Sequence, residues 1–247
     1  MASPLEHSPL AQFEVYQIIP LEFAGVDWSI TNSGLWMLVI VALIWLFVSG
    51  GMSRAHIVPG RWQSMVEMVY EFISNMLHEA AGPEARRFFP FIFSLFMFIL
   101  FANLLGMVPG TFTVTSHIIV TFGLAGFVFL GVTVLGVVNH GFGFLRLFVP
   151  SGVPIALLPL LVVIELISYL TRPISLSVRL FANMMAGHTM MKVIAGFVVP
   201  LGLIGGWAPL LFVVALTGLE MLIAVLQAYV FAMLSCIYLN DAYHIEH

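Results

Sequence analysis

Long apolar runs separated by short polar connections dominate the chain. A helix needs about 20 mostly apolar residues to cross the hydrocarbon core of a bilayer, which is roughly 30 Å thick. The pattern therefore predicts an all-α integral membrane protein with about five membrane-crossing helices. The apolar tracts that carry this prediction lie at residues 33–49, 88–108, 117–138, 155–199 and 209–239.

The last two tracts are too long for upright helices. At about 1.5 Å per residue, residues 209–239 would form a helix about 46 Å long, and residues 155–199 a longer one. A steep tilt accommodates this length, so we expect two long, tilted helices. Pro173 interrupts the first of them, and we expect it to kink the helix without ending it.

Residues 61–80 follow a different pattern, because charged residues interrupt the apolar positions and leave the segment too polar to cross a bilayer. Apolar residues at helical spacing predict an amphipathic helix in the membrane interface. Packing against a partner subunit explains the pattern equally well. The apolar positions are Met65, Val66, Met68, Val69, Phe72, Ile73, Met76 and Leu77, and the charged ones include Arg61, Glu67, Glu71 and Glu79.

Composition agrees with a lipid environment. Of the 247 residues, 61% are hydrophobic and 8% are charged, whereas soluble domains carry about 25% charged residues. We expect one helical membrane domain at 33–240, between a polar tail at 1–32 and a short tail at 241–247. The single cysteine, Cys236, excludes an internal disulfide. We expect no cleavable signal, because no basic region precedes an apolar run in the first residues.

The basic residues predict the orientation of the chain in the membrane. Arg54, Arg61, Arg86 and Arg87 all lie between the first and second apolar tracts, which places that connection in the cytoplasm. The next connection has no basic residue, and the one after it contains Arg146. If 155–199 crosses once, the N-terminus is external and the C-terminus cytoplasmic. Two separate crossings in that tract would place the C-terminus outside.

Polar residues share one face of the helix predicted at 155–199. At about 100° per residue they fall within an arc of roughly 80°. Polar groups in lipid are costly, so such a stripe is expected to line water or to face a partner. Its members are Glu165, Ser168, Arg172, Ser175, Arg179 and Asn183.

The helix predicted at 209–239 carries a similar stripe within about 80°. Its members are Thr217, Glu220, Gln227, Ser235 and Tyr238. His188 lies on the opposite side of its own helix from Arg179, about 180° away. We therefore expect this histidine and this arginine to lie in different environments.

Glu220 and His188 are candidates for proton exchange, since carboxyl and imidazole groups bind and release protons under ordinary conditions. Arg179 cannot carry protons because its guanidinium keeps its charge, so it is expected to act as a fixed charge beside the path. Simpler explanations exist. Arg172 would then reach the interface, Glu165 would be a structural ion-pair partner, and Arg179 would pair with Glu165 or Glu220.

Catalytic motifs are absent from the sequence. "HEAAG" at 78–82 lacks the second histidine of a zinc-protease helix, and the chain has no G-x-S-x-G motif or P-loop. We expect no metal, no cofactor and no nucleic-acid partner. A self-contained proton-coupled transporter is the alternative function, and a non-conducting scaffold is a third.

Two stretches resemble a known family. "IELISYLTRPISLSVRLFANMMAGH" at 164–188 and "LEMLIAVLQAYVFAMLSCIYL" at 219–239 are similar to subunit a of F-type ATP synthases, and "RLFAN" at 179–183 is the specific part. The "FANLLGMVP" stretch at 101–109 also matches. The resemblance covers the chain from the first apolar tract to Tyr238.

The resemblance implies a proton-conducting subunit of the Fo sector, which is not catalytic alone, in a bacterial inner membrane in preference to a mitochondrial one. Two long helices would pack against a rotating ring of c subunits, between two aqueous half-channels, beside b-type subunits of a peripheral stalk. Residue by residue, Arg179 matches the essential arginine, His188 and Glu220 the pair of the external half-channel, Asn183 and Gln227 the polar residues beside the arginine, and Glu165 the acid of the cytoplasmic half-channel. Some bacterial members place the acid and the histidine of that pair in the opposite order.

Overall fold

Five of the helices in this computed structural model are long and apolar enough to cross a membrane. The structure describes residues 13–20, 22–23, 26–27, 29–53, 56–108, 111–141, 143–144 and 157–243. The predicted fold class, an all-α membrane protein, is confirmed. The helices are α1 (Asn32–Met52), α2 (Arg61–Ala81), α3 (Phe89–Gly106), α4 (Ile118–His140), α5 (Leu158–Ala195), the short α6 (Gly202–Gly205) and α7 (Trp207–Tyr243).

The helix bounds differ from the apolar tracts by a few residues, mostly where polar residues extend a helix. α7 continues through Asn240 and Asp241 to Tyr243, three residues into the C-terminal tail predicted at 241–247. Residues 244–247 lie outside the described part, as do Arg54 and Arg146, two of the residues that predict orientation. Polar residues near the membrane interface can continue a helix. Hydropathy alone therefore places the end of α7 too early in the sequence.

α5 is one continuous helix of 38 residues with the buried Pro173 inside it. A proline removes one backbone hydrogen bond, but packed neighbours allow it in a membrane helix. α5 therefore provides one crossing and not two.

α7 occupies the centre of the bundle and packs against α2, α3, α4 and α5. Small residues such as Ala228 and Ala232 are fully buried there beside Phe231, which lets the helices approach closely. The opposite face of α7 and much of α5 remain exposed, with large apolar side chains such as Ile167 and Leu222 at 57% and 56% exposure.

α2 is amphipathic. Val66, Ile73 and Leu77 lie in the core, whereas Met65 and Met68 are exposed. Its apolar residues thus divide between two faces. One face packs on the bundle and the other is open for lipid or a partner.

The N-terminal segment, residues 13–31, contains four short strands. β1 (Gln17–Ile19) pairs with β4 (Ile30–Thr31), and β2 (Glu22–Phe23) pairs with β3 (Val26–Asp27), both antiparallel. Thr31 accepts a hydrogen bond from the backbone N–H of Gly34 at 3.3 Å and so caps α1. The described residues of the segment predicted as a polar tail at 1–32 therefore include short strands next to the first membrane helix.

Candidate functional site

His188 of α5 and Glu220 of α7 meet inside the bundle. Each is 7% exposed, and Nδ1 of His188 lies 3.9 Å from Oε2 of Glu220. Among the described residues, neither carboxyl oxygen of Glu220 has a hydrogen-bond partner. A buried carboxyl group whose nearest titratable neighbour is an imidazole is suited to exchange protons with it.

Gly187 creates the space for the Glu220 carboxyl group. A Cβ atom at this position would overlap Oε1 of Glu220 and would lie 2.8 Å from its Cδ. The absence of a side chain therefore lets the carboxyl group lie against the backbone of α5. Sequence reasoning missed this residue, although a glycine directly before a candidate histidine is a signal of close approach.

Carbonyl oxygens lie near both ring nitrogens of His188, and a neutral imidazole donates a hydrogen bond to one of them at a time. Nδ1 lies 3.0 Å from the carbonyl oxygen of Met184, and Nε2 lies 2.7 Å from the carbonyl oxygen of Gly106. Gly106 ends α3, where the last carbonyl groups lack partners within the helix. The Thr113 hydroxyl donates to the same carbonyl at 3.1 Å. His188 therefore joins α5 to the end of α3 in a fixed orientation.

An open cavity of about 570 Å³ adjoins His188, which forms part of its wall. Gly106 and Val108 contribute another part of the wall, after the end of α3. Lys192, one turn beyond His188, and the segment around Glu14 complete it. The cavity therefore gives the histidine a route to the surface at the end of the bundle where α1 begins.

Asn183 and Gln227 form a second contact between α5 and α7. Nδ2 of Asn183 donates to Oε1 of Gln227 at 3.2 Å. Gln227 is 4% exposed. The helical faces predicted for these two residues therefore meet.

Asn103 of α3 is fully buried. Its side-chain amide donates to the carbonyl oxygen of Ala224 at 3.3 Å, one helical turn after Glu220. Sequence reasoning did not assign Asn103 to the site, although an amide within an apolar tract is itself a signal of a hydrogen bond to a neighbouring helix.

Arg179 lies on the exposed surface of α5. Among the described residues the ion pairs are Arg172–Asp241 and His188–Glu220, and Arg179 belongs to neither. The alternative in which this arginine pairs with Glu165 or Glu220 of its own chain therefore finds no support there. His188 is buried and Arg179 exposed, as expected for opposite sides of one helix.

Arg172 and Tyr238, from the two predicted stripes, meet at the far end of α5 and α7. The Arg172 guanidinium binds Oδ2 of Asp241 at 2.8 Å and lies 5.5 and 5.1 Å from the ring centres of Tyr169 and Tyr238. The Tyr169 hydroxyl is 2.7 Å from that of Thr133 in α4. We call these five residues the arginine clamp. Along the rest of the α5 stripe, Ser168 and Ser175 are exposed and Glu165 is half-buried.

Fold and site together define a multi-pass membrane protein with ionisable groups inside its helical bundle. The family model "ATP synthase A chain" matches residues 34–240, and the chain belongs to this family. It is 58% identical over 241 residues to ATP synthase subunit a of Pelagibacter ubique, covering 97% of this chain and 99% of the relative. It is 61% identical over 245 residues to the subunit of Parvibaculum lavamentivorans, covering 97% and 94%.

Family membership gives the chain a role in proton translocation by the Fo sector of ATP synthase, in which it is not catalytic by itself. The relatives are bacterial, and the chain is a multi-pass membrane protein.

Proposed function

We propose that this chain conducts protons through two half-channels at its contact with a rotating ring of c subunits. The observation that carries the proposal is the division between two kinds of ionisable group. His188 and Glu220 are buried beside an open cavity, whereas Arg179 is exposed on the outer surface of α5 without an ion pair in the described part of the chain.

The cavity beside His188 is the proposed entrance for protons from outside the cell. Protons pass from its water to His188 and Glu220, and then to the ring. The basic residues Arg61, Arg86 and Arg87 belong to α2 and to the short turn before α3, which supports a cytoplasmic location for that end. The cavity lies at the other end of α3, so it is assigned to the external side of a bacterial inner membrane.

Arg179 is the proposed partner of the ring carboxylates. A charge on a lipid-facing helix costs at least about 2.5–3.5 kcal/mol, and the exposed surfaces of α5 and α7 carry apolar side chains such as Val178 and Leu222. A face of this composition is stable when another protein covers it and offers an anion to the guanidinium. The fixed positive charge also stops protons from passing between the two half-channels without turning the ring.

The remaining polar residues have proposed supporting roles. Asn183, one turn after Arg179, lies beside the proposed ring contact, and its hydrogen bond to the buried Gln227 joins α5 to α7 behind that contact. Glu165 serves the cytoplasmic half-channel, with Ser168 and Ser175 on the same stripe of α5. The open apolar face of α2, with Met65 and Met68, is the proposed contact for b-type subunits of the peripheral stalk.

The experiment that tests this function compares reconstituted complexes with Arg179→Ala against wild type. We expect ATP synthesis driven by an acid–base jump to fall to background, while passive proton conductance persists and the complex still assembles. Thr171→Ala, which removes an exposed hydroxyl from the same helix, is the matched control and should retain synthesis. Normal coupled synthesis in the Arg179→Ala complex would contradict the proposal. Proton-driven solute uptake by the purified chain alone would instead support a self-contained transporter.

A further inference from the structure

The N-terminal segment forms one wall of the cavity that leads to His188. Glu14, Tyr16, Asn32 and Trp36 contribute to this wall. Asn32 and Trp36 belong to α1, so Glu14 and Tyr16 are the part of this wall that lies outside the membrane helices, and their position affects the width of the cavity mouth. The contacts that hold the segment in place therefore affect how easily protons reach His188 and Glu220 through the cavity.

Asn32, the first residue of α1, holds the segment through both of its side-chain polar groups. Nδ2 donates to the carbonyl oxygen of Glu14 at 2.9 Å, and Oδ1 accepts the backbone N–H of Tyr16 at 3.3 Å. The same Oδ1 accepts the N–H of Ser33 at 2.9 Å. With 2% exposure, the amide is shielded from water that would compete for these bonds.

The backbone of Asn32 adds a third bond to the segment, from its N–H to the carbonyl oxygen of Tyr16 at 3.1 Å. The next pair along the chain, Gln17 and Thr31, belongs to the ladder of β1 and β4. The side chain of Asn32 thus extends a two-stranded ladder by two residues. Such a small ladder is marginally stable by itself, so the amide bonds are expected to decide whether residues 14–16 stay docked.

We propose that Asn32 is a positioning residue for the entrance: its amide holds residues 14–16 across the cavity and thereby sets the width of the mouth. This inference rests on the proposed function, which makes the cavity the entrance for protons. Asn32 itself does not exchange protons, because an amide does not titrate in this range. It acts through the wall that it holds in place.

A labelling experiment on the assembled complex in membranes tests the inference without relying on ATP synthesis. Met191 lines the cavity, and Met191→Cys introduces a thiol there. The chain has one native cysteine, Cys236, which is fully buried. Labelling of Cys236, resolved by mass spectrometry, therefore reports whether the bundle as a whole has opened.

The introduced thiol is labelled with a large reagent, a polyethylene glycol maleimide, and with a small maleimide. The measured quantity is the labelling rate with the large reagent divided by the rate with the small one. In Asn32→Ala we expect this ratio to rise about tenfold, because two hydrogen bonds that dock the segment are lost. Ser33→Ala, at the neighbouring buried position, is the matched control and should leave the ratio unchanged. Asn32→Asp keeps the size and the acceptor but loses the donor to Glu14, so we expect a smaller rise.

The outcomes separate the two proposals. An unchanged ratio in Asn32→Ala, with the small reagent still reacting, overturns the role of Asn32 and leaves the proposed function standing. A thiol at position 191 that does not react even with the small maleimide overturns the entrance, and the role of Asn32 with it. If Cys236 becomes labelled in Asn32→Ala, the bundle has opened and Asn32→Asp decides. A raised ratio there supports the inference, and an unchanged ratio overturns it.

Discussion

Arg172 and Arg179 lie seven residues apart on the same stripe of one helix, yet their surroundings differ. Arg172 belongs to the arginine clamp, where it forms an ion pair with Asp241 and lies over the rings of two tyrosines. Arg179 is exposed, and neither ion pair of the described residues includes it. The same residue type therefore serves two purposes. An arginine whose contacts are all internal stabilises the helix packing, whereas one left open is available to a partner.

The largest expected effect is that of a conservative change at the open arginine. In Arg179→Lys we expect coupled ATP synthesis to fall to background in reconstituted complexes, because lysine lacks the planar, permanently charged guanidinium. Arg172→Lys should reduce synthesis much less, since an ammonium group still binds Asp241. Equal losses in the two variants would mean that the comparison between the two arginines has no functional meaning.

The buried pair should be next in size. Exchanging both residues, His188→Glu with Glu220→His, should impair proton-driven synthesis less than either single change, because the double variant keeps one acid and one imidazole in contact. The measurement is the synthesis rate of the four complexes in one double-mutant cycle. Losses that simply add would argue that His188 and Glu220 act independently.

Gly187 provides a steric test of the same pair. Gly187→Ala places a methyl group against the Glu220 carboxyl group and should cost about 1–3 kcal/mol through overpacking, with a clear loss of proton-driven synthesis. Glu220→Asp in the same chain shortens the acid and should restore part of the rate. Gly218→Ala is the control, because nothing lies within 4 Å of a Cβ at that position. A harmless Gly187→Ala would mean that the carboxyl group does not need this space.

The arginine clamp should contribute to stability and not to proton transfer. Asp241→Asn should lower the stability of the complex in detergent by about 1 kcal/mol, since the ion pair is partly exposed to solvent. Thermal unfolding of Arg172→Gln, Asp241→Asn and the double variant measures their coupling energy. A coupling energy near zero would mean that the ion pair between Arg172 and Asp241 does not stabilise the complex.

The smallest effect concerns pH and the N-terminal segment. Burial lowers the pKa of His117 below its ordinary value of 6.5, although a hydrogen bond with the backbone of Phe13 partly opposes this. The folded state therefore binds fewer protons than the unfolded state, and its stability falls as the pH drops below 6.5. The protection of residues 13–20 against hydrogen exchange, measured relative to the intrinsic exchange rate at each pH, should fall on acidification, and His117→Gln should remove most of that response. A loss of protection that persists in this variant would assign the effect to another group.

The apolar tracts were sufficient to predict the five long helices, because the length of a membrane crossing is set by the bilayer. Helical spacing also predicted that His188 and Arg179 face different environments. It did not predict contacts between helices. The roles of Gly187 and Asn103 depend on how closely α7 approaches α5 and α3, which the period of one helix does not contain. Asp241 was missed as a partner of Arg172 because α7 extends past the end of its apolar tract.

Two points along α5, on either side of Arg179, are fastened in different ways, and this has a mechanical consequence. The arginine clamp pins the helix at position 172, and the bond from the His188 ring to the Gly106 carbonyl pins it at position 188. These supports are about 24 Å apart along the axis at 1.5 Å per residue, and Arg179 projects from the span between them. The stretch of α5 that carries Arg179 is thus held by contacts with other helices on both sides. Under the proposed function, a sideways force from the turning ring on the guanidinium would pass to α7 and α3, and the charge would stay at a constant depth in the membrane.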